Sequence, residues 1–222
     1  MSNKNELAIQ AMNNGELEKA VTLLYEAIEE NPEDPIAYTN VGNLLAQAGE
    51  VKQAIAYFEK AIELDETQAT AYFGAGNAFF ELEQYKDAAE MYQNAIQKGL
   101  DQSDVHFMIG QCFVMQDAMR LALPFFQRAV ELNEEDTEAR FQYALCLAKE
   151  GAVEVALPHF EKVVEEDPDH ADAWFNLGVS YAYQEDITKA ISCFDRALAI
   201  QPDHLLAGNG KKQMEQAMNN ND

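Results

Sequence analysis

Basic residues are scarce in this chain of 222: Lys and Arg number 15 against 39 Asp and Glu, a formal net charge of −24. That balance speaks against direct nucleic-acid binding, because affinity for a phosphate backbone comes from cations that neutralise it. Cysteine is also sparse, and three is an odd number that makes no disulfide framework. Histidines 106, 159, 170 and 204 are scattered with no two at an i, i+4 ligand spacing, so no metal site is expected. No stretch approaches the roughly 18 consecutive apolar residues of a membrane span. Residues 1–15 are polar and lack a basic segment followed by an apolar run, so no secretory signal is read and the expected location is the cytoplasm. There is no Gly-rich phosphate loop, no nucleophile beside a base, and no carboxylate pair distinct from the acidic background. Neither catalysis nor a cofactor is expected.

What is present is a ruler. Alanine recurs at Ala20, Ala54, Ala88, Ala122, Ala156 and Ala190, a constant interval of 34 residues. Counting in that register, position 24 reads Leu24, Phe58, Tyr92, Phe126, Phe160 and Phe194, and position 8 reads Ala8, Gly42, Gly76, Gly110, Ala144 and Gly178. Large faces small, as close helix packing requires. Cys112 and Cys146 both fall at position 10, where other repeats carry Leu44, Ala78 and Ser180, and so read as small buried filler.

A 34-residue period with aromatic, Leu-Gly, aromatic, Ala, Phe, Ala and Pro at fixed offsets resembles the tetratricopeptide repeat (TPR) family. The best match is Trp174, Leu177, Gly178, Tyr181, Ala190, Phe194, Ala197 and Pro202. The resemblance covers 1–204 without an insertion. It implies an all-α fold, a right-handed α-α superhelix or solenoid of six helix-turn-helix repeats at 1–34, 35–68, 69–102, 103–136, 137–170 and 171–204. The remainder predicts a capping helix over 205–218, with Leu206, Gly210, Met214 and Ala217 on one face, and a disordered tail at 219–222. Whole-chain likeness is to small bacterial proteins made only of TPRs, which implies scaffolding of proteins or peptides; the oligomeric state stays open, with the monomer favoured.

Each repeat predicts helix A over positions 2–14 and helix B over 18–31. Gly15, Gly49 and Gly151 close helix A in repeats one, two and five, while Glu83, Asp117 and Glu185 stand at that place in the others and predict some strain. Pro32, Pro168 and Pro202 stop helix B; Gly99-Leu100 does so in repeat three as a Schellman ending. Repeats two and four have Glu66 and Glu134 instead, predicting longer second helices. Pro124 and Pro158 fall at position 22, inside helix B, where each removes one backbone hydrogen bond.

The negative charge is spread along the array at −6, −3, −3, −4, −5 and −3 per repeat, with the cap at 0. It fits, first, a solvated surface kept soluble by like charge; the sharper reading is a partner with basic segments. The resemblance implies that helix A positions 2, 5, 9, 12 and 13 line a concave peptide-binding groove. Position 5 carries Thr39, Phe73, Phe107, Phe141 and Phe175, and around it fall Phe80, Val114, Met115, Leu145, Val179 and Tyr183. Such an apolar strip marks an interaction site if exposed; rings leaning on the neighbouring helix are the other reading, and both stay open. Asn43, Asn77 and Gln111 at position 9 can donate to and accept from a peptide backbone. Asp104, Glu138 and Asp172 at position 2 suit a flanking Lys or Arg, or simply favour the helix dipole. Family members that clamp the C-terminal carboxylate of a heat-shock protein use Lys or Arg plus Asn; the matching places here are Asn5, Ile9, Asn40, Asn43, Thr70, Gly74, Asp104 and Met108, which supply no cation. The expected function is a non-enzymatic adaptor, the alternatives being a receptor for a short signalling peptide or a self-assembling module.

Overall fold

The computed structural model describes residues 4–220 as helices joined by tight turns, with no strand among them. They divide into two compact units, 1–118 and 119–222. The first holds α1 (Lys4–Asn13), α2 (Leu17–Glu30), α3 (Pro35–Gln47), α4 (Val51–Leu64), α5 (Ala69–Glu81), α6 (Tyr85–Gln97) and α7 (Ser103–Met115). The second holds α8 (Met119–Leu132), α9 (Thr137–Lys149), α10 (Val153–Glu166), α11 (Ala171–Tyr183), α12 (Ile187–Ile200) and α13 (Leu205–Asn220). The 34-residue register thus appears as helix A over positions 1–13 and helix B over 17–30, one residue ahead of the expected bounds. Within each unit, successive helices pack against one another in chain order.

The small residues set how close the helices come. A Cβ added at Gly42 would stand 2.7 Å from Phe58 Cε1, and one at Gly178 would stand 2.6 Å from Phe194 Cε1. The same two rings press on the following A helix as well: Gly74 faces Phe58, and a Cβ at Gly210 would lie 2.9 Å from Phe194 Cζ. Phe58 and Phe194 at position 24 are therefore each clamped between their own helix A and the next one. Position 3, read as Ala37, Ala71, Val105, Ala139, Ala173 and Ala207, is buried throughout.

Six closures of helix A share one hydrogen-bond pattern. Gly49 N–H donates to Ala46 O and Glu50 N–H to Leu45 O, while Glu83 N–H donates to Phe80 O and Gln84 N–H to Phe79 O. Glu83, Asp117 and Glu185 accordingly take φ of 60°, 57° and 62°, a left-handed backbone that a side chain makes costly. Helix B in repeat three ends as expected, with Leu100 N–H donating to Ala95 O and Gly99 at φ 104°.

The second helices of repeats two and four are not longer: α4 stops at Leu64 and α8 at Leu132, the same position as in α2, α10 and α12. The stop lies at position 31, ahead of any proline. Asp65 Oδ1 accepts from Thr67 N–H at 2.9 Å and Asn133 Oδ1 from Glu135 N–H at 3.2 Å, and Asn31 and Asp167 make the matching turns. Position 34 then caps the next helix: Asp34, Asp136, His170 and His204 each accept from a backbone N–H of its first turn. α8 and α10 run on through Pro124 and Pro158.

The cap differs from its expected face. Leu206 points to solvent and Ala207 is buried instead, because α13 keeps the register of the other A helices and position 3 turns inward. Met214 packs on the Phe194 cluster, and Lys211 Nζ donates to Asp195 Oδ1 of α12 at 2.6 Å. α13 also extends through Asn219 and Asn220, so half of the expected tail is helical; 1–3 and 221–222 lie outside the described residues.

Relief of the left-handed strain gives a direct check. Glu83→Gly and Glu185→Gly each raise the unfolding free energy by about 1 kcal/mol, the cost of the left-handed side chain less the extra freedom glycine gives the unfolded chain. Denaturant melts of the single variants measure it.

Candidate functional site

The position-5 residues are mostly spent on packing. Thr39 is buried and its Oγ1 donates to Pro35 O at 2.9 Å. Phe141 is 7% exposed, its ring 6.0 Å from Phe160 and 4.4 Å from His170. Phe73 and Phe175 are half-buried, lying 5.7 Å from Tyr92 and 5.9 Å from Phe194. Phe107 is half-buried too. The ring of helix A thus leans on position 24 of the same repeat in repeats three, five and six. Phe141 and Thr39 do not offer the surface expected of them, and the remaining rings offer one edge.

What the A helices do expose in the first unit is a row of amides with apolar neighbours. Asn43 and Asn77 at position 9 are exposed, and Gln111 is half-buried. Asn77 Oδ1 accepts from the Tyr92 hydroxyl at 2.7 Å. Met115 is exposed, Val114 is half-buried, and Phe80 is half-buried with its ring edge-on to Tyr85 at 5.3 Å. Asp104 is exposed at position 2. Ile9 and Ile36 are also exposed at positions 9 and 2, groove positions that the 34-residue register marks in repeats one and two.

The second unit presents a more apolar face. Val179 is exposed and Tyr183 is 64% exposed, while Leu145 is half-buried beside them in register. Leu206, at position 2 of the cap, is 61% exposed. Glu138 and Asp172 stand on the same helices. Glu138 Oε1 accepts from Gln142 Nε2 at 2.8 Å, and Asp172 Oδ1 pairs with His204 Nε2 at 3.1 Å, so each carboxylate keeps one oxygen for another partner.

A different surface in this unit carries a cleft of about 590 Å³ between α10 and α12, floored by Trp174, Leu177, Tyr181 and Cys193. The Tyr181 hydroxyl bonds Glu161 Oε1 at 2.5 Å, and Lys189 Nζ sits 4.7 Å above the Tyr181 ring. The residues at its rim are charges of both signs, already paired within the chain.

Reactive groups are muted. Burial pushes the Cys112 thiol up to about 12 and those of Cys146 and Cys193 up to about 11. All three are buried thiols rather than thiolates at neutral pH. Among the described residues no three His, Cys, Asp or Glu side chains gather as metal ligands would, and no helix is long and apolar enough to cross a membrane.

Two outcomes follow from these environments. Phe141→Ala lowers the unfolding free energy by about 3–5 kcal/mol, whereas Tyr183→Ala shifts it by no more than about 0.5 kcal/mol; chemical denaturation distinguishes them. For the thiols the folded chain holds protons that the unfolded chain releases, so their contribution is full below about pH 8.5 and is lost as pH rises from there toward 11. A thiol reagent at pH 8 labels the native chain slowly and the unfolded chain at once.

Models of the tetratricopeptide repeat match residues 5–69, 73–137, 120–168 and 171–204. No curated protein matches the chain. Among solved structures, YrrB, described as a TPR protein with an unusual peptide-binding site, is 50% identical, with 85% of this chain and 97% of that one covered at a TM-score of 0.80. PilF of Pseudomonas aeruginosa is 20% identical at a TM-score of 0.79, covering 95% and 96% of the two chains. MamA is also 20% identical, at 0.70, covering 77% and 93%. The last two share the fold. The period, the clamped position 24 and these matches over most of its length agree: the chain belongs to the tetratricopeptide repeat family.

Proposed function

We propose that the protein is a non-enzymatic adaptor that binds peptide segments of partner proteins on the solvent face of the A helices of each unit. Family membership supports an interaction module in general. The peptide is favoured by the half-identical YrrB, whose structure is described by its peptide-binding site. The observation that carries the reading is the exposure of Asn43, Asn77 and Met115 in one unit and of Val179 and Tyr183 in the other. None of these residues is consumed by packing, and all stand at register positions of first helices. Amides meet a peptide backbone, and apolar groups meet its side chains. Glu138 and Asp172, with a net charge of −24 behind them, favour Lys or Arg at the ends of the segment.

Peptides selected by display against the full chain test this. An Asn43→Ala, Val179→Ser, Tyr183→Ala variant keeps its melting temperature within a few degrees and binds the selected peptides at least about tenfold more weakly, the loss of one or two good contacts. Equal affinity for wild type and variant contradicts the reading. Added salt weakens the peptides that carry Lys or Arg flanks and spares the others.

A further inference from the structure

Position 24 carries Leu or Phe in five repeats and tyrosine in repeat three alone. Tyr92 is fully buried. Its ring is held by Phe73 at 5.7 Å and by the Gly76 backbone, where a Cβ would stand 2.6 Å from Cε1. The hydroxyl cannot swing away, and it donates to Asn77 Oδ1 at 2.7 Å. Burial pushes the phenol far above its ordinary range, so it remains a donor at any working pH. Turning the Asn77 amide over would put Nδ2 against the hydroxyl and strip the buried O–H of its acceptor, a costly exchange. The amide therefore has a set direction, with Oδ1 inward and committed while the two Nδ2 hydrogens stay available on an exposed residue.

We propose that Tyr92 is a positioning residue that fixes Asn77 as a one-way donor, and that Asn77 takes a backbone carbonyl of the bound peptide. This rests on the peptide-binding reading above. An unconstrained amide can serve either a carbonyl or an N–H, and the buried hydroxyl removes the second choice at this one repeat. Carbonyl and carboxylate are both acceptors. A carboxylate is disfavoured by the net charge of −24 and by exposed Asp104 in the same unit. The consequence is polarity: a donor of fixed direction in one repeat gives the bound segment a register that a row of freely turning amides would not.

The test uses display-selected peptides free of Lys, Arg, Asp and Glu, so that a charge placed at 77 acts only locally. Asn77→Ala weakens them about tenfold and Tyr92→Phe about threefold, the scale of one hydrogen bond and of its orientation. Combining the two changes gives no loss beyond Asn77→Ala alone. Asn77→Asp keeps the Tyr92 bond but presents an acceptor, and binds no better than Asn77→Ala. Phenylalanine already occupies this place in four repeats, so Tyr92→Phe folds with unchanged helix content. In the free protein, the Asn77 side-chain amide protons exchange faster and their two resonances draw together in Tyr92→Phe, a change that packing alone would not cause. If Asn77→Ala leaves affinity unchanged, the peptide reading of this unit and the inference both fall. If Asn77→Ala weakens binding and Tyr92→Phe does not, or if Asn77→Asp binds like wild type, the inference falls and the peptide reading stands.

Discussion

One contact recurs through the chain, and the rest hangs from it. Within each unit the side chain at position 24 lies against helix A of its own repeat and, where the following helix offers a glycine, against that helix too, as Phe58 does between Gly42 and Gly74 and Phe194 between Gly178 and Gly210. A ring buried this way loses its water on every side, and the backbone on either side comes closer than any Cβ would permit. Helix spacing within a repeat and the step to the next repeat are thus set by one residue. Alanine at position 20 is the smaller counterpart, fully buried in all six repeats.

That contact also sorts the residues of helix A. Position 8, and position 6 where it is glycine, go to the clamp, position 3 is buried beside them, and position 5 adds its ring, which is why Phe141 is buried and Phe73 and Phe175 are half-spent. Positions 9 and 13 are left over, and there the chain places amides in one unit and Val179 and Tyr183 in the other. Repeat three joins the two roles. Tyr92 is a clamp residue by its ring and reaches the exposed row by its hydroxyl.

The register, the helix count per repeat, the Schellman endings and the small-against-large pairing were legible in the sequence because each is a periodic demand repeated six times. What was not legible depended on direction rather than period. The stop of helix B was assigned to proline at position 32, yet Asp65 and Asn133 do the same work one residue earlier, through side-chain hydrogen bonds that leave no hydrophobic trace. In the cap, Leu206 stood on the expected inner face, whereas Ala207 is the residue that is buried, as the apolar residue at position 3 is in every other described A helix that reaches it. The phenylalanines at position 5 fitted a ligand strip and a packing layer equally, since a one-dimensional pattern does not say which way a ring leans. The tyrosine at position 24 was visible as an exception to Leu and Phe, but its meaning needed the Asn77 carbonyl at 2.7 Å.

Position 24 and the glycines opposite it form one tightly shared space. A double-mutant cycle of Gly42→Ala with Phe58→Leu measures that directly, because repeat one already pairs Ala8 with Leu24. Gly42→Ala alone overpacks the Phe58 ring and costs about 1–3 kcal/mol. In the Phe58→Leu background, the same change costs close to nothing, giving a coupling of at least about 1 kcal/mol by equilibrium unfolding. An equal cost for Gly42→Ala in both backgrounds would contradict the clamp.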